Sequence, residues 1–214
     1  MDISIIIPTY NEVDNVEPTF NEIDKRLKTN KYEIIFVDDN SQDGTQKKVK
    51  ELKIRHEKIV FLERKNEKGL ATAIAHGFDN SQGRIIGVMD ADLSYDFDAL
   101  PKMIELIKKG NDIVLGSRYL EGTDTSGFSL HRKIISKGAA FLASINLEKK
   151  LTDPTTGFAM LKREVYFNNK HNMKLIGFKF IYEILVLSKN SKIKEVSTYF
   201  NDRVFGKSKF NCGE

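Results

Sequence analysis

Short apolar runs alternate with amphipathic stretches through the first 120 residues of the chain. The runs are rich in β-branched residues and too short for helices, so they predict buried strands at residues 4–7, 33–37, 59–62, 85–89 and 112–115. The stretches between them repeat apolar residues at helical spacing and predict helices at residues 13–28, 45–56, 70–80 and 97–109. This alternation predicts an α/β fold in which helices flank a mainly parallel sheet.

The pattern changes after Arg118, where a Gly/Thr/Ser-rich loop precedes a long apolar segment at residues 134–147. Apolar residues recur near helical spacing in this segment, and basic residues lie at both of its ends. The same pattern is typical of a core helix and of an amphipathic helix in a membrane interface, and it does not choose between them. A helix near residues 180–188 and a strand near 193–199 complete one predicted domain, residues 1–214.

Composition removes several classes of protein. The chain has 214 residues, 40% hydrophobic and 30% charged, which suits a globular domain with a sizeable core. Its single cysteine, Cys212, excludes an intramolecular disulfide framework and a Cys-based zinc site. The first residues lack the pattern of a signal peptide, and no run reaches the roughly 18 apolar residues that a membrane span needs. We therefore expect a cytosolic chain whose contact with a membrane is peripheral.

Two carboxylates, Asp90 and Asp92, follow the predicted fourth strand. Ligands of parallel sheets bind at the carboxyl ends of the strands, and Mg²⁺ and Mn²⁺ prefer oxygen ligands. Residues two apart share a face in extended backbone, so both carboxylates can reach one cation. The pair is a candidate metal site, although acidic turns after strands are also common.

Polar side chains follow two other predicted strands. Asp38 and Asp39 end the second strand, where a carboxylate can accept hydrogen bonds from a ribose hydroxyl or a base N–H. The alternative role is that of a helix cap or Asx turn, for which Asp43 is the better candidate. The first strand runs into the polar residues 8–12, so three strands present polar groups to one predicted crevice.

Several other kinds of site are excluded by spacing. The triplet at residues 206–208, Gly-Lys-Ser, lacks the glycine five residues before it that a phosphate-binding P-loop requires. The chain contains neither a Gly-x-Gly-x-x-Gly motif nor a Gly-x-Ser-x-Gly elbow. Its four histidines lack metal-ligand spacing.

The basic residues of the second half are better placed than the net charge of +4 suggests. Arg118 ends the fifth predicted strand, Arg132 precedes the apolar segment, and Arg203 and Lys209 lie near the end of the chain. Because arginine forms bidentate contacts with phosphate, a metal pair facing these cations predicts a pyrophosphate site. The aromatic-interleaved basic stripe expected for single-stranded nucleic acid is missing, so no nucleic-acid partner is expected.

The motifs IIIPTYNE, VDDNSQDGT, DADLS, GSRY, HRKIISKGAAFL and DRVFGKSK resemble, in order and spacing, those of the dolichyl-phosphate mannosyltransferases. The first three are shared among GT-A glycosyltransferases, whereas the last two are far more discriminating. The resemblance covers nearly the whole chain. It implies a GT-A (Rossmann-like) fold with an amphipathic interface helix. It also implies inverting transfer of mannose from GDP-mannose to a polyprenyl (dolichyl) phosphate.

The resemblance also implies roles for individual residues. The nucleotide sugar would be bound by Pro8, Tyr10, Glu12, Val37, Asp39, Asp90, Ala91, Asp92, Arg118, Arg203 and Lys209. Asp90 and Asp92 would hold Mg²⁺ or Mn²⁺, and Arg132 and Ser136 would contact the acceptor phosphate. Asp92, Arg118 and Arg203 are the expected catalytic residues. The enzyme would lie on the cytoplasmic face of a membrane, the endoplasmic reticulum or a prokaryotic plasma membrane, with a small membrane-anchoring subunit as a further partner.

Two other functions stay open at this stage. The same fold could use UDP-glucose or another nucleotide sugar, because no residue reads guanine against uracil. The chain could also be a non-catalytic subunit that binds a nucleotide sugar. The intact Asp90 and Asp92 pair argues against the second alternative.

Overall fold

The computed structural model describes residues 1–120 and 149–199, together with Gly138, Ala143 and Leu147. Within these residues seven strands form one sheet in the order β3-β2-β1-β4-β6-β5-β7. The strands are β1 Ile3–Thr9, β2 Tyr32–Asp38, β3 Ile59–Glu63, β4 Ile85–Val88, β5 Ile113–Ser117, β6 Ala159–Lys162 and β7 Ile193–Ser197. Only β6 runs antiparallel to its neighbours, which confirms the predicted mainly parallel sheet.

Helices cover both faces of the sheet. They are α1 Val13–Leu27, α2 Thr45–Arg55, α3 Leu70–Asp79, α4 Ala99–Lys108, α5 Arg163–Asn169 and α6 Phe180–Leu187. The core on one face packs α1, α2 and α4, and the core on the other packs α3, α5 and α6. None of the described helices is both long enough and apolar enough to cross a bilayer.

The two-residue period of a strand explains how β1 serves both cores. Ile5 and Ile7 point into the α1, α2 and α4 core, whereas Ile6 between them points into the α3 core. A Cβ added to Gly77 of α3 would lie 2.6 Å from Ile6, so the missing side chain lets this helix approach β1 closely. Burial on both faces is why the strands appear in the sequence as continuous apolar runs.

The strand β6 and the helix α5 were not predicted. The four residues of β6 lie beyond the strand–helix alternation of the first 120 residues from which the other sheet strands up to β5 were predicted, yet they pair with β4 on one side and β5 on the other. This insertion places the loop before β6 at the same edge as the carboxyl ends of β4 and β5. The predicted amphipathic helix at 134–147 lies outside the described residues, apart from Gly138, Ala143 and Leu147.

Candidate active site

The carboxyl ends of β1, β2, β4 and β5 share one edge of the sheet, because these strands run in the same direction. The residues that the sequence marked as candidates lie at these ends: Pro8 to Glu12 at β1, Asp39 at β2, Asp90 to Asp92 at β4, and Arg118 at β5. The expectation that polar groups at the ends of several strands meet at one edge is confirmed by this register.

The segment after β4 is held by hydrogen bonds on both of its sides. Asp92 is 7% exposed, and its Oδ1 accepts hydrogen bonds from the Ser94 hydroxyl at 2.5 Å and the Ser94 N–H at 3.2 Å. The carbonyl oxygen of Ala91 accepts a hydrogen bond from Thr19 of α1 at 2.8 Å. Leu93, between Asp92 and Ser94, has a φ of 61°. This is a strained backbone conformation for a leucine, and such strain is frequent at functional sites. The segment therefore presents its carboxylates from a defined backbone.

Asp90 has a buried tyrosine beside it. The Tyr95 hydroxyl donates a hydrogen bond to Asp90 Oδ2 at 3.2 Å, and the Tyr95 ring packs against Phe158 with ring centres 5.1 Å apart. Burial, and then the negative charge of Asp90, raise the pKa of Tyr95 well above its ordinary value. The hydroxyl therefore keeps its proton and acts as a donor. Sequence analysis did not single out Tyr95.

The chemistry of Asp90 and Asp92 fits a divalent cation that is shared with phosphate oxygens. The described residues contain no group of three His, Cys, Asp or Glu side chains able to hold a metal ion. Mg²⁺ is commonly bound by one or two carboxylates, with substrate phosphates and water completing the coordination. The two aspartates supply that donor set at the edge where ligands of α/β sheets bind.

Asp39 lies in a buried ion pair that sequence analysis missed. Asp39 Oδ1 lies 2.8 Å from Nε of Arg64, and Asp39 Oδ2 accepts the backbone N–H of Gly69 at 2.9 Å. Both charged residues are less than a tenth exposed. Burial raises the pKa of Asp39, although Gly69 and Arg64 oppose that rise. Arg64 was overlooked because it stands in the highly charged run ERKNEK, which reads as a solvated loop.

Asp43 forms the Asx turn that the sequence analysis gave as one of its two roles, while Gly44 is the N-cap residue of α2. Asp43 Oδ1 accepts hydrogen bonds from the backbone N–H of Thr45 at 3.0 Å and from the Thr45 hydroxyl at 2.6 Å, at the start of α2. Asp38 instead accepts hydrogen bonds from the hydroxyls of Thr9 and Ser41, at 2.9 and 2.6 Å. These bonds tie the loop after β2 to the end of β1.

The other predicted nucleotide contacts lie at different depths. Tyr10 is 38% exposed at the edge, and Nζ of Lys68 lies 5.2 Å from the centre of its ring. Glu12 is buried and accepts a hydrogen bond from Nδ2 of Asn15 at 2.6 Å. Val37 is fully buried in the α3 core. Pro8 is half-buried.

Arg118 forms a bidentate ion pair with Asp153 in the loop before β6. Its Nε and Nη2 donate hydrogen bonds to the two carboxylate oxygens of Asp153, at 2.7 and 2.8 Å, and Asp153 is fully buried. Burial disfavours the charged form, but the bonds with Asp153 outweigh it and raise the pKa of Arg118. Asp153 was missed because an aspartate before Pro154 reads as an ordinary turn residue.

Four predicted site residues lie outside the described residues, namely Arg132, Ser136, Arg203 and Lys209. Their assignment to the acceptor and to the reacting phosphates stays a prediction.

A comparison with known protein families shows to which family the chain belongs. The family described as Glycosyl transferase family 2 matches residues 4–167, from the second residue of β1 to beyond β6, with the candidate residues at the ends of β1, β2, β4 and β5. The chain belongs to glycosyl transferase family 2.

The relatives of this family 2 domain confirm the resemblance drawn from the motifs. The dolichol-phosphate mannosyltransferase of Pyrococcus furiosus is 43% identical over 98% of the chain, which spans 59% of that relative.

Solved structures share the fold of the family 2 domain at low identity. Glucosyl-3-phosphoglycerate synthase from Mycobacterium tuberculosis, crystallised with Mn²⁺, UDP-glucose and phosphoglyceric acid, matches 94% of the chain and 72% of its own, with a TM-score of 0.65 at 15% identity. A mannosyltransferase from Pyrobaculum calidifontis, in complex with GDP-Man and Mn²⁺, matches 78% of the chain and 46% of its own, with a TM-score of 0.53 at 20% identity.

Proposed function

We propose that this domain transfers mannose from GDP-mannose to the phosphate of a polyprenyl (dolichyl) phosphate, with inversion at the anomeric carbon. The observation that carries the proposal is the Asp90 and Asp92 pair, held at the carboxyl end of β4 in a family 2 chain. The name of the Pyrococcus furiosus relative supports the acceptor, and the Pyrobaculum calidifontis complex supports the donor.

The residues of the edge suit a displacement that needs positioning and charge neutralisation more than proton transfer. The second pKa of a phosphate monoester is near 6, so the acceptor is already an anionic nucleophile at neutral pH and needs no general base. Asp90 and Asp92 would hold Mg²⁺ or Mn²⁺, which supplies charge stabilisation for the departing diphosphate. The ion pair with Asp153 offsets the charge of Arg118 and holds its guanidinium in one orientation, so Arg118 would act at the same edge as a positioned hydrogen-bond donor.

A donor screen tests the function. We expect the protein to move radiolabel from GDP-mannose, but not from UDP-glucose, to a short polyprenyl phosphate, and to stop when EDTA removes the divalent cation. Transfer from UDP-glucose instead would show that the donor assignment is wrong. Binding of GDP-mannose without turnover, in the presence of the acceptor and Mn²⁺, would favour a non-catalytic subunit.

A polyprenyl acceptor implies a membrane. Each CH₂ removed from water contributes about 0.8 kcal/mol of favourable transfer free energy, so the long polyprenyl tail stays in the bilayer. One described loop, residues 173–179, suits such a contact. Ile176 and Phe178 are 67% and 52% exposed, with Lys174 and Lys179 exposed beside them. The loop is anchored at the start of α3, where Ala71 donates its N–H to the Gly177 carbonyl at 3.1 Å. We place this loop at the cytoplasmic surface of the membrane.

Two isoleucine-to-aspartate variants test that placement. We expect Ile176→Asp to weaken binding to vesicles that contain one third phosphatidylglycerol by at least about threefold, because an aspartate loses apolar contact and repels the anionic surface. Ile54 of α2 is 86% exposed, and α2 belongs to the core on the other face of the sheet, so Ile54→Asp should leave vesicle binding unchanged. Equal effects of both changes would contradict the placement, and flotation through a density gradient measures them.

A further inference from the structure

Tyr95 is a buried polar side chain whose hydroxyl reaches a proposed ligand of the cation. It is 4% exposed, and its hydrogen bond to Asp90 Oδ2 spans five residues of the chain. The ring is held on one side by Phe158, which is itself fully buried just before β6. The position of the hydroxyl is therefore set by packing.

Gly157 provides the space in which this bond forms. A Cβ added to Gly157 would lie 2.8 Å from the Tyr95 hydroxyl and 3.4 Å from Asp90 Oδ2. The first distance is shorter than any normal contact, so a side chain here would displace the hydroxyl. The loop before β6 thus brings a residue without a side chain against both members of the hydrogen bond.

We propose that Tyr95 is a positioning residue, which fixes the orientation of the Asp90 carboxylate for a divalent cation that binds with the nucleotide. This inference rests on the proposed function, since it takes Asp90 as a ligand. A hydrogen bond to one oxygen of a metal-binding carboxylate restricts the rotation of that carboxylate. Loss of a residue that hydrogen-bonds to a metal ligand in this way typically lowers metal affinity about 10- to 100-fold. The chain thereby couples the loop before β6 to the segment after β4.

The test uses Tyr95→Phe, which removes the hydroxyl and keeps the ring. Calorimetric titration of GDP at a series of Mn²⁺ concentrations gives the Mn²⁺ concentration for half-maximal GDP binding. We expect this concentration to rise about tenfold in the variant. A value within twofold of the wild type would overturn the inference.

Tyr166 supplies a matched control. Its hydroxyl also donates to an aspartate at 3.2 Å, Asp79 at the end of α3, and the residue is 2% exposed. Tyr166→Phe removes the same kind of bond from the α3 core, so its thermal unfolding should show the stability cost of such a loss without any change in the Mn²⁺ requirement. If both variants change the Mn²⁺ requirement equally, the effect is one of stability and Tyr95 has no positioning role.

A second variant, Gly157→Ala, tests whether the Tyr95 hydroxyl needs the space left by the missing side chain of Gly157. We expect Gly157→Ala to raise the Mn²⁺ requirement in the wild-type background more than in the Tyr95→Phe background, because the added Cβ would meet the hydroxyl only in the former. Equal effects in both backgrounds would contradict the arrangement. A wild-type protein whose binding of GDP is independent of Mn²⁺ would overturn the metal assignment itself, a result distinct from the failure of Tyr95→Phe alone.

Discussion

Replacing Asp92 with asparagine is expected to lower turnover at least about a hundredfold while the protein stays folded. A hundredfold loss corresponds to about 2.7 kcal/mol of barrier, within the range expected when a cation no longer holds a leaving diphosphate. Asparagine keeps the shape of the side chain and can still accept the hydrogen bonds from Ser94. The change therefore removes the charge and leaves the local backbone in place.

Steady-state transfer from GDP-mannose, with circular dichroism as the check on folding, measures this effect. Asp112→Asn is the matched control, because Asp112 precedes β5 and lies at the opposite edge of the sheet, where it pairs with Lys162 at 2.7 Å. It should turn over like the wild type. Normal turnover of Asp92→Asn would remove Asp92 from the site.

The second large effect is expected from Asp153→Asn, which should cost about 3 kcal/mol or more of unfolding free energy. Asp153 is fully buried and binds the Arg118 guanidinium through both oxygens, so the change removes a carboxylate from an arginine whose side chain is only 13% exposed. In a domain of this size, such a loss lowers the unfolding midpoint by about 6 °C or more. Differential scanning calorimetry measures it.

Two further variants separate stability from activity. Glu105→Gln breaks the ion pair between Glu105 and Lys109, two side chains that are 63% and 64% exposed, and should leave the unfolding midpoint unchanged. Adding Arg118→Met to Asp153→Asn should restore much of the lost stability, since it removes the charge that Asp153 offsets in the wild type. It should not restore turnover if Arg118 contacts the donor. Wild-type stability in Asp153→Asn alone would show that this pair does not hold the loop.

The location of the candidate site at the strand ends was predictable, because it follows from local order along the chain. Asp39, Asp90, Asp92 and Arg118 each stand within four residues of the carboxyl end of a strand, and parallel strands bring these ends to one edge. The partners of these residues were not predictable. Arg64 lies 25 residues from Asp39, and Asp153 lies 35 residues from Arg118, in stretches whose own patterns indicate solvated loops and turns.

The sequence by itself determined the mainly parallel sheet, the four helices between its first five strands and the edge where polar side chains collect. It did so because burial on two faces leaves a continuous apolar run, and burial on one face leaves a helical period. Only the tertiary structure decided that β6 enters between β4 and β5, because an apolar run indicates a strand but not which strands it pairs with. That insertion brings Asp153, Gly157 and Phe158 against Arg118, Asp90 and Tyr95. Contacts between such distant segments depend on the packing of the whole sheet, which no local pattern encodes.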